Sequence, residues 1–300
     1  MKTGTHTLLP AYRCTPLAFS FLLLAFCCSL YSCYTPRYVY SPSAHNVPVF
    51  VKKGDSKLAF NYSANAADNA VKDSVPVKAK ARGYDIQAAY AITNHWALQA
   101  NYYHRTERNA GDFDAGTRDS VVINYKRQLT EIGLGYYRMI DDNKQVTLQV
   151  FAGVGFGKFS LDDNGKDQNR VLRSRYHQMH VTKLYLQPSL TVGSSSNFSG
   201  SFSSRFSVIY FSKINTDYTA TEQDNYKLDS LSYSPRVFWE PSVVNTFGFK
   251  KLPGLKLEFQ IGFAFLVSRR FVDARSFNFS GGLLFDLPKL FALNHHSSKN

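Results

Sequence analysis

"VTLQVFAGVGFGKFSLDD" runs from Val146 to Asp163. Gly153, Gly155 and Gly157 alternate there with Val154 and Phe156, and Lys158 follows. A phosphate loop of the form G-x-x-x-x-G-K-[ST] ending at Lys158 needs glycine at 152 and Ser or Thr at 159, but the chain has Ala152 and Phe159. A dinucleotide fingerprint starting at Gly153 needs glycine at 158 and then a helix, where Lys158 and the loop-like "SLDDNGKD" stand. The spacing of two is instead that of a β-strand, whose side chains alternate between faces. Gly153, Gly155 and Gly157 then line one face and Val154 and Phe156 the other. Glycines on an inner face leave room for aromatic rings and help a sheet curve.

The same period recurs along the chain. In "ARGYDIQAAYAI", Tyr84, Ile86, Ala88, Tyr90 and Ile92 oppose Asp85, Gln87 and Ala89. In "LKLEFQIGFAFLV", seven apolar residues from Leu255 to Val267 oppose Lys256, Glu258, Gln260 and Gly262. Strand segments are read near 57–64, 82–92, 95–105, 127–140, 145–159, 179–193, 200–214, 236–249, 255–267 and 275–287. Short turns at 93–94, 141–144, 195–199 and 250–254 alternate with long polar loops near 65–81, 106–126, 160–178 and 215–235. This predicts an all-β, up-and-down antiparallel transmembrane barrel of about ten strands, with 8 to 12 open, and with both ends on the short-turn side.

Alternation alone leaves open which face looks outward. A lipocalin-like barrel puts its apolar face inside, and a membrane barrel puts it in lipid. Charges in mid-strand favour the second arrangement, in which Glu131, Lys183, Arg205, Glu240 and Glu258 form a polar network in the lumen. So do aromatics near strand ends, including Trp96, Tyr102, Tyr103, Tyr136, Tyr137, Phe156, Tyr210, Phe211, Trp239 and Phe285, as an interfacial belt requires.

The amino terminus reads as an address. Lys2 and Arg13 precede the uncharged "LAFSFLLLAFCCSLYS" (17–32), which has the form of a signal peptide. "LYSC" (30–33) resembles the lipobox of bacterial lipoproteins and makes Cys33 the lipidation candidate. The proline-bearing stretch 33–55 reads as an extended tether, 56–287 as the barrel and 288–300 as a tail. All four cysteines lie in the first 33 residues, which excludes a disulfide framework or thiolate metal site further on. The net charge of +13 is scattered rather than clustered, which argues against nucleic acid as a partner.

Together "LYSC", "SPSAHNVPVFVKKGD", the alternating strands and the terminal "FNFSGGLLFDL" resemble an outer-membrane β-barrel protein of the Bacteroidota type. The resemblance implies a bacterial outer-membrane location and, through the last strand, recognition by the outer-membrane assembly machinery. It also implies outer-membrane lipids and lipopolysaccharide as partners. A monomer is expected.

No residue set carries chemistry with any specificity. His177 and His180 are three apart, so on a strand they face opposite ways and do not chelate together. His295 and His296 sit in the tail. There is no G-x-S-x-G elbow. A rim enzyme acting on lipid or peptide would draw on His104, Asp112, Asp114, His177 and Asp217. The leading expectation is a structural or surface-binding barrel without catalysis, cofactor or metal. Its long loops and the Arg269-Arg270 link would make the contacts, with Lys166, Arg170, Arg173 and Arg175 meeting lipopolysaccharide phosphates. A soluble lipocalin-like lipoprotein, a narrow pore and the rim enzyme are the alternatives.

Overall fold

The computed structural model describes residues 39–66, 78–112, 120–143, 145–166, 171–193, 197–268 and 272–288. Cys33, Asp114, Arg170, Arg269 and Arg270 lie outside them, as do the signal-like segment and nearly all of the tail. Ten antiparallel strands follow in chain order around a closed barrel. They are β1 Ser56–Ala66, β2 Lys78–Ala91, β3 Trp96–Asp112, β4 Ser120–Met139 and β5 Val146–Lys166. They continue with β6 Leu172–Val192, β7 Phe198–Thr216, β8 Arg236–Phe249, β9 Leu252–Phe263 and β10 Phe277–Phe285. Beyond Ala264, Phe265–Leu266 prolongs β9 against β8. β10 pairs with both β9 and β1, so no edge is left to aggregate.

Strand length rises from 11 residues in β1 to 21 in β5 and β6 and falls to 9 in β10. The wall is therefore tall over β4–β7 and low over β9, β10 and β1. β1 starts and β10 ends at the short-turn end, opposite the long connections. In the link between β7 and β8, a short helix, α1 Ala220–Asn225, and a 3-10 turn, Asp229–Ser232, fold back into the barrel mouth. Tyr218, Leu228 and Leu231 from this link are buried there.

The tall strands carry two opposite patterns in unbroken register. In the lower half of β5, Leu148, Val150 and Phe156 are exposed, whereas Gln149, Phe151 and Gly155 face the lumen. From Lys158 onward the sides exchange character: Lys158 and Asp162 are exposed, and Phe159 and Leu161 are buried. β4 switches the same way between Ile132 and Lys126, and β6 between Leu184 and His180. Below the switch the outward face is an apolar band such as lipid requires, about the 9–11 residues of a tilted membrane crossing. Above it, Ile123, Tyr125, Phe159, Leu161, Met179 and Val181 pack inside the barrel with Tyr218, Leu228 and Leu231 from the β7–β8 link. One barrel thus has a membrane-type lower half and an upper half built like a water-soluble one.

This switch corrects two expectations. The stretches 106–126 and 160–178, read as loops, are largely strand, because polar outward residues there hid the alternation. The aromatic belt is smaller than expected. Trp96, Tyr136, Phe156, Tyr210 and Trp239 face outward, but Tyr103, Tyr137 and Phe211 are buried inside.

The glycines of the opening stretch face inward, as that alternation implies. The Tyr185 ring lies over Gly153: a Cβ added there would stand 2.5 Å from its hydroxyl and closer still to the Ile132 backbone carbonyl. A carbonyl in the neighbouring ladder cannot move aside. Gly153→Ala is therefore expected to destabilise the barrel by ~1–3 kcal/mol, the usual range for overpacking. In the gel assay in which folded barrels run fast until boiled, the fast form should be lost at a lower temperature than in the parent.

Candidate functional site

Residues 39–50, "VYSPSAHNVPVF", do not lie outside the barrel. They run through its lumen. Val39–Tyr40 pair in parallel with Asp273–Ala274 at the long-connection end. At the other end Phe50 is buried against Ala91, Ala97, Tyr137 and Phe151, its ring 5.2 Å from that of Tyr137. Burial of that ring is worth ~1.5–3 kcal/mol. A tight turn at 51–55 then leads into β1, with Gly54 at φ +88° and its N–H donating to the Ala91 carbonyl. The stretch read as a tether is extended, but over these residues it is an internal plug. The ends of the ten strands agree with the expected topology; the chain ahead of them enters from the long-connection end.

An extended segment inside a barrel has no ladder partner along most of its length, so side chains must satisfy its backbone. They come from β2, β3, β5, β6 and β9. The Ala44 N–H donates to Asp85 Oδ1 at 3.1 Å and the His45 N–H to Gln260 Oε1 at 3.1 Å. Gln187 Nε2 donates to the Asn46 carbonyl at 2.8 Å, Gln149 Nε2 to the Pro48 carbonyl at 2.9 Å, and the Tyr103 hydroxyl to the Ser41 carbonyl at 2.6 Å. The segment's own side chains are small or neutral and reach back. Tyr40 donates to Glu240 at 2.9 Å and stacks on Phe238 at 4.2 Å, and Asn46 donates to Asn101 and to the Ala88 carbonyl, both at 2.9 Å.

The candidate lumen residues sit around this plug. Lys183 Nζ is 3.0 Å from Glu131 and 3.8 Å from Glu240. Arg205 Nη1 is 3.7 Å from Glu240 and 4.0 Å from Glu131, and it donates to Ser43 Oγ of the plug at 2.9 Å. These four form one cluster at the barrel's waist. Glu258 stands apart from it and pairs with Lys57 at 2.6 Å and Asn61 at 3.0 Å. Three further pairings were missed in the sequence. Asp85 receives Arg105 at 2.7 Å, and Glu107 receives both Arg127, at 3.0 Å, and Arg275, whose Nε is 2.9 Å away. Their signal was present, since Arg105, Glu107 and Arg127 keep the inward parity of Asp85 and Glu131 in register, but Arg105 and Arg127 stood at the last and first positions of segments read as strand and Glu107 in the stretch between, read as loop.

Of the rim candidates, His104, His177 and Asp217 do not come together. His104 faces outward and stacks on Tyr84 at 5.3 Å. His177 is buried inside, next to Leu161 in register, and neither ring nitrogen has a hydrogen-bond partner. His180 points out on the same strand. Asp217 is exposed and accepts the Tyr176 N–H at 2.6 Å. Asp112 ends β3. Of the expected lipopolysaccharide contacts, Arg173 and Arg175 are turned to neighbours within the fold, with Arg173 3.6 Å from Asp163 and Arg175 3.1 Å from Glu222. Partial burial would raise the Glu222 carboxyl, but the Thr219 N–H and hydroxyl, together with Arg175, outweigh it and hold the group below its ordinary value. These bonds pin the start of α1 to the wall.

No protein-family model matches the chain. No curated protein sequence matches it either. Among solved structures it is similar to the translocator domain of the autotransporter NalP from Neisseria meningitidis. The identity is 10%, 78% of this chain and 89% of that one are covered, and the TM-score is 0.44. It is also similar to the outer membrane protease OmpT from Escherichia coli, at 8% identity, 78% and 94% coverage and a TM-score of 0.43. A third similar structure is the outer membrane protein OprG from Pseudomonas aeruginosa, at 11% identity, 80% and 98% coverage and a TM-score of 0.34.

Proposed function

We propose that this chain is a bacterial outer-membrane barrel sealed by its own amino-terminal segment, with a structural or surface-binding role exercised from the outside of the barrel. The observation that carries the reading is the plug. A segment bonded along the lumen from the long-connection end to Phe50 fills space that a solute would need and makes the interior a scaffold. The outward apolar band supports the membrane, and the scattering of His104, His177 and Asp217 supports a role without catalysis. The last strand, "FNFSGGLLFDL", is the segment offered to an assembly machinery.

The Bacteroidota resemblance and the lipidation of Cys33 belong to the same reading.

The test is conduction. In planar bilayers the intact chain, shown to be folded by its heat-dependent gel migration, should give no unitary current steps. Steady ohmic conduction by the intact protein would replace this reading with the narrow pore.

A further inference from the structure

On the outer wall of β4–β7, above the apolar band, lies a concavity of about 390 Å³. Its rim carries Lys126, Lys158, His180 and Lys213, with Gln178 and Asn215 between them. The register explains the grouping. Lys158 pairs laterally with His180, and Lys126 lies one outward position above Gln128, the partner of Lys158. Lys213 joins them through a bulge. Between Gln178 and His180 of β6, the facing partners on β7 run from Asn215 to Ser212, so β7 holds one extra residue. Ser212 and Lys213 are consequently both exposed, and Lys213 adopts φ 48°, a conformation that a lysine rarely takes. The strand is bent where the bend turns a third lysine toward the hollow.

Among the described residues, none of the three lysines has an ion-pair or side-chain hydrogen-bond partner. The exposed carboxylates Asp162 on β5 and Asp217 just beyond β7 do not line the hollow. Like charges gathered without a counter-charge repel one another unless an anion joins them.

The second observation lies directly below. The next outward residues are Thr130, Phe156, Thr182 and Tyr210, at the upper edge of the apolar band. Beneath them on β4–β6, and extending sideways across β1–β3, is a shallow apolar groove of about 940 Å³. Ala88, Ala100 and Ala152 form its floor, flanked by Leu98, Leu134 and Leu184. From Gln128 in the hollow to Ile132 in the groove is four residues of one strand, ~13 Å. A cationic hollow at the water boundary above a small-residue groove in the lipid band has the polarity of a phosphorylated amphiphile.

We infer that the outer wall from β2 to β7 is a binding site for a phosphorylated acyl lipid of the leaflet on the long-connection side. The Lys126, Lys158 and Lys213 ammonium groups hold its phosphate, and the alanine-floored groove takes its acyl chain. This rests on the membrane reading of the barrel.

The experiment uses the whole chain in nanodiscs of zwitterionic lipid and measures, by native mass spectrometry, retention of a bisphosphorylated acyl glycolipid. The probe is compared with its dephosphorylated counterpart and with inorganic phosphate. The variant Lys126→Gln/Lys158→Gln/Lys213→Asn changes only exposed side chains, and asparagine tolerates the left-handed conformation at 213. Near a membrane surface each lysine is worth about five-fold in affinity, so the triple variant should bind about a hundred-fold more weakly. The triple arginine variant should bind like the parent, which separates charge from any disturbance of the wall. Equal retention by parent and triple variant, or equal retention of the dephosphorylated lipid, overturns the proposal. Displacement of the glycolipid by millimolar inorganic phosphate also overturns it, in favour of a free-phosphate site. Failure of the membrane reading would look different, since the parent itself would not enter the nanodisc as a folded barrel.

Discussion

Deleting residues 39–50, with residue 38 joined to residue 51, is expected to turn a sealed barrel into one that passes ions in discrete steps. The ladder of ten strands does not involve the plug, apart from the two-residue pairing of Val39–Tyr40 with Asp273–Ala274, so the barrel has the bonds it needs to remain closed. The plug residues occupy the lumen axis, and their loss leaves a path lined by Asp85, Gln87, Gln149, Gln187 and Arg205, all polar groups that water can satisfy. Hydration tempers the loss of the polar bonds. The apolar contacts are not compensated: Phe50 leaves the Tyr137–Phe151 pocket and Tyr40 leaves the face of Phe238. Together these cost ~3–6 kcal/mol at the usual value of a buried large side chain. Planar-bilayer recording should therefore show small unitary currents, since a ten-strand lumen is narrow and still holds its charged waist. The deletion should also unfold at a lower temperature. If the deleted protein keeps its heat-dependent migration yet passes no ions, wall side chains alone seal the lumen and the segment is not the plug.

How much of this was legible in the sequence differs from part to part. The ten strands were, because in the lipid band the outward residues are apolar and the inward ones small or polar, so each segment shows one clean period of two. The upper wall was not, and Lys158 marks the reason. There the strand continues in register while the environment on its two sides is exchanged, from lipid outside to water outside. A reading that follows one apolar face loses the strand where that face turns polar, although Phe159, Leu161, Met179 and Val181 continue the period on the other side. The plug was hidden by composition. Proline, serine, alanine and asparagine are the residues of a linker, and they are also the residues whose size and hydrogen-bonding capacity suit a crowded polar lumen. One signal separated the two. From Tyr38 to Val51 the chain carries no Asp, Glu, Lys or Arg, in a protein that is 19% charged. A solvated tether gains from charge, whereas a segment buried beside Lys183, Arg205, Glu131 and Glu240 would pay for every unpaired one. The waist charges were legible because each sits at an inward position of a strand with a clean period, but which carboxylate meets which cation depends on barrel closure, and no local pattern encodes that.

The other large effect is expected at that waist. Glu131 is fully buried, 3.0 Å from Lys183 Nζ, 3.0 Å from Asn101 Nδ2 and 4.0 Å from Arg205. Glu131→Gln preserves the shape but leaves Lys183 and Arg205 to share Glu240 alone, at 3.8 and 3.7 Å. Breaking a buried pair on one side leaves an uncompensated charge and costs ~3–5 kcal/mol, more than the pair's presence contributes, because desolvation is no longer offset. Lys183→Met is expected to cost a similar amount by leaving Glu131 with Arg205 as its remaining cation. The two losses should not add. In Glu131→Gln/Lys183→Met no charge is orphaned at that contact, so the double variant should be clearly more stable than the sum of the single losses, with a coupling of ~1–3 kcal/mol. Urea titration of the folded barrel in micelles, following tryptophan emission from Trp96 and Trp239, measures all three. The same reorganisation should reach the plug, because Arg205 also donates to Ser43 and lies within 3.5 Å of the Ala44 carbonyl. Glu131→Gln should then give rare current steps in bilayers that the double variant suppresses. Additive losses, or a cost for Glu131→Gln below ~1 kcal/mol, would mean that water screens the waist. The plug would then be held by its backbone bonds and its two aromatic ends rather than by the charge cluster.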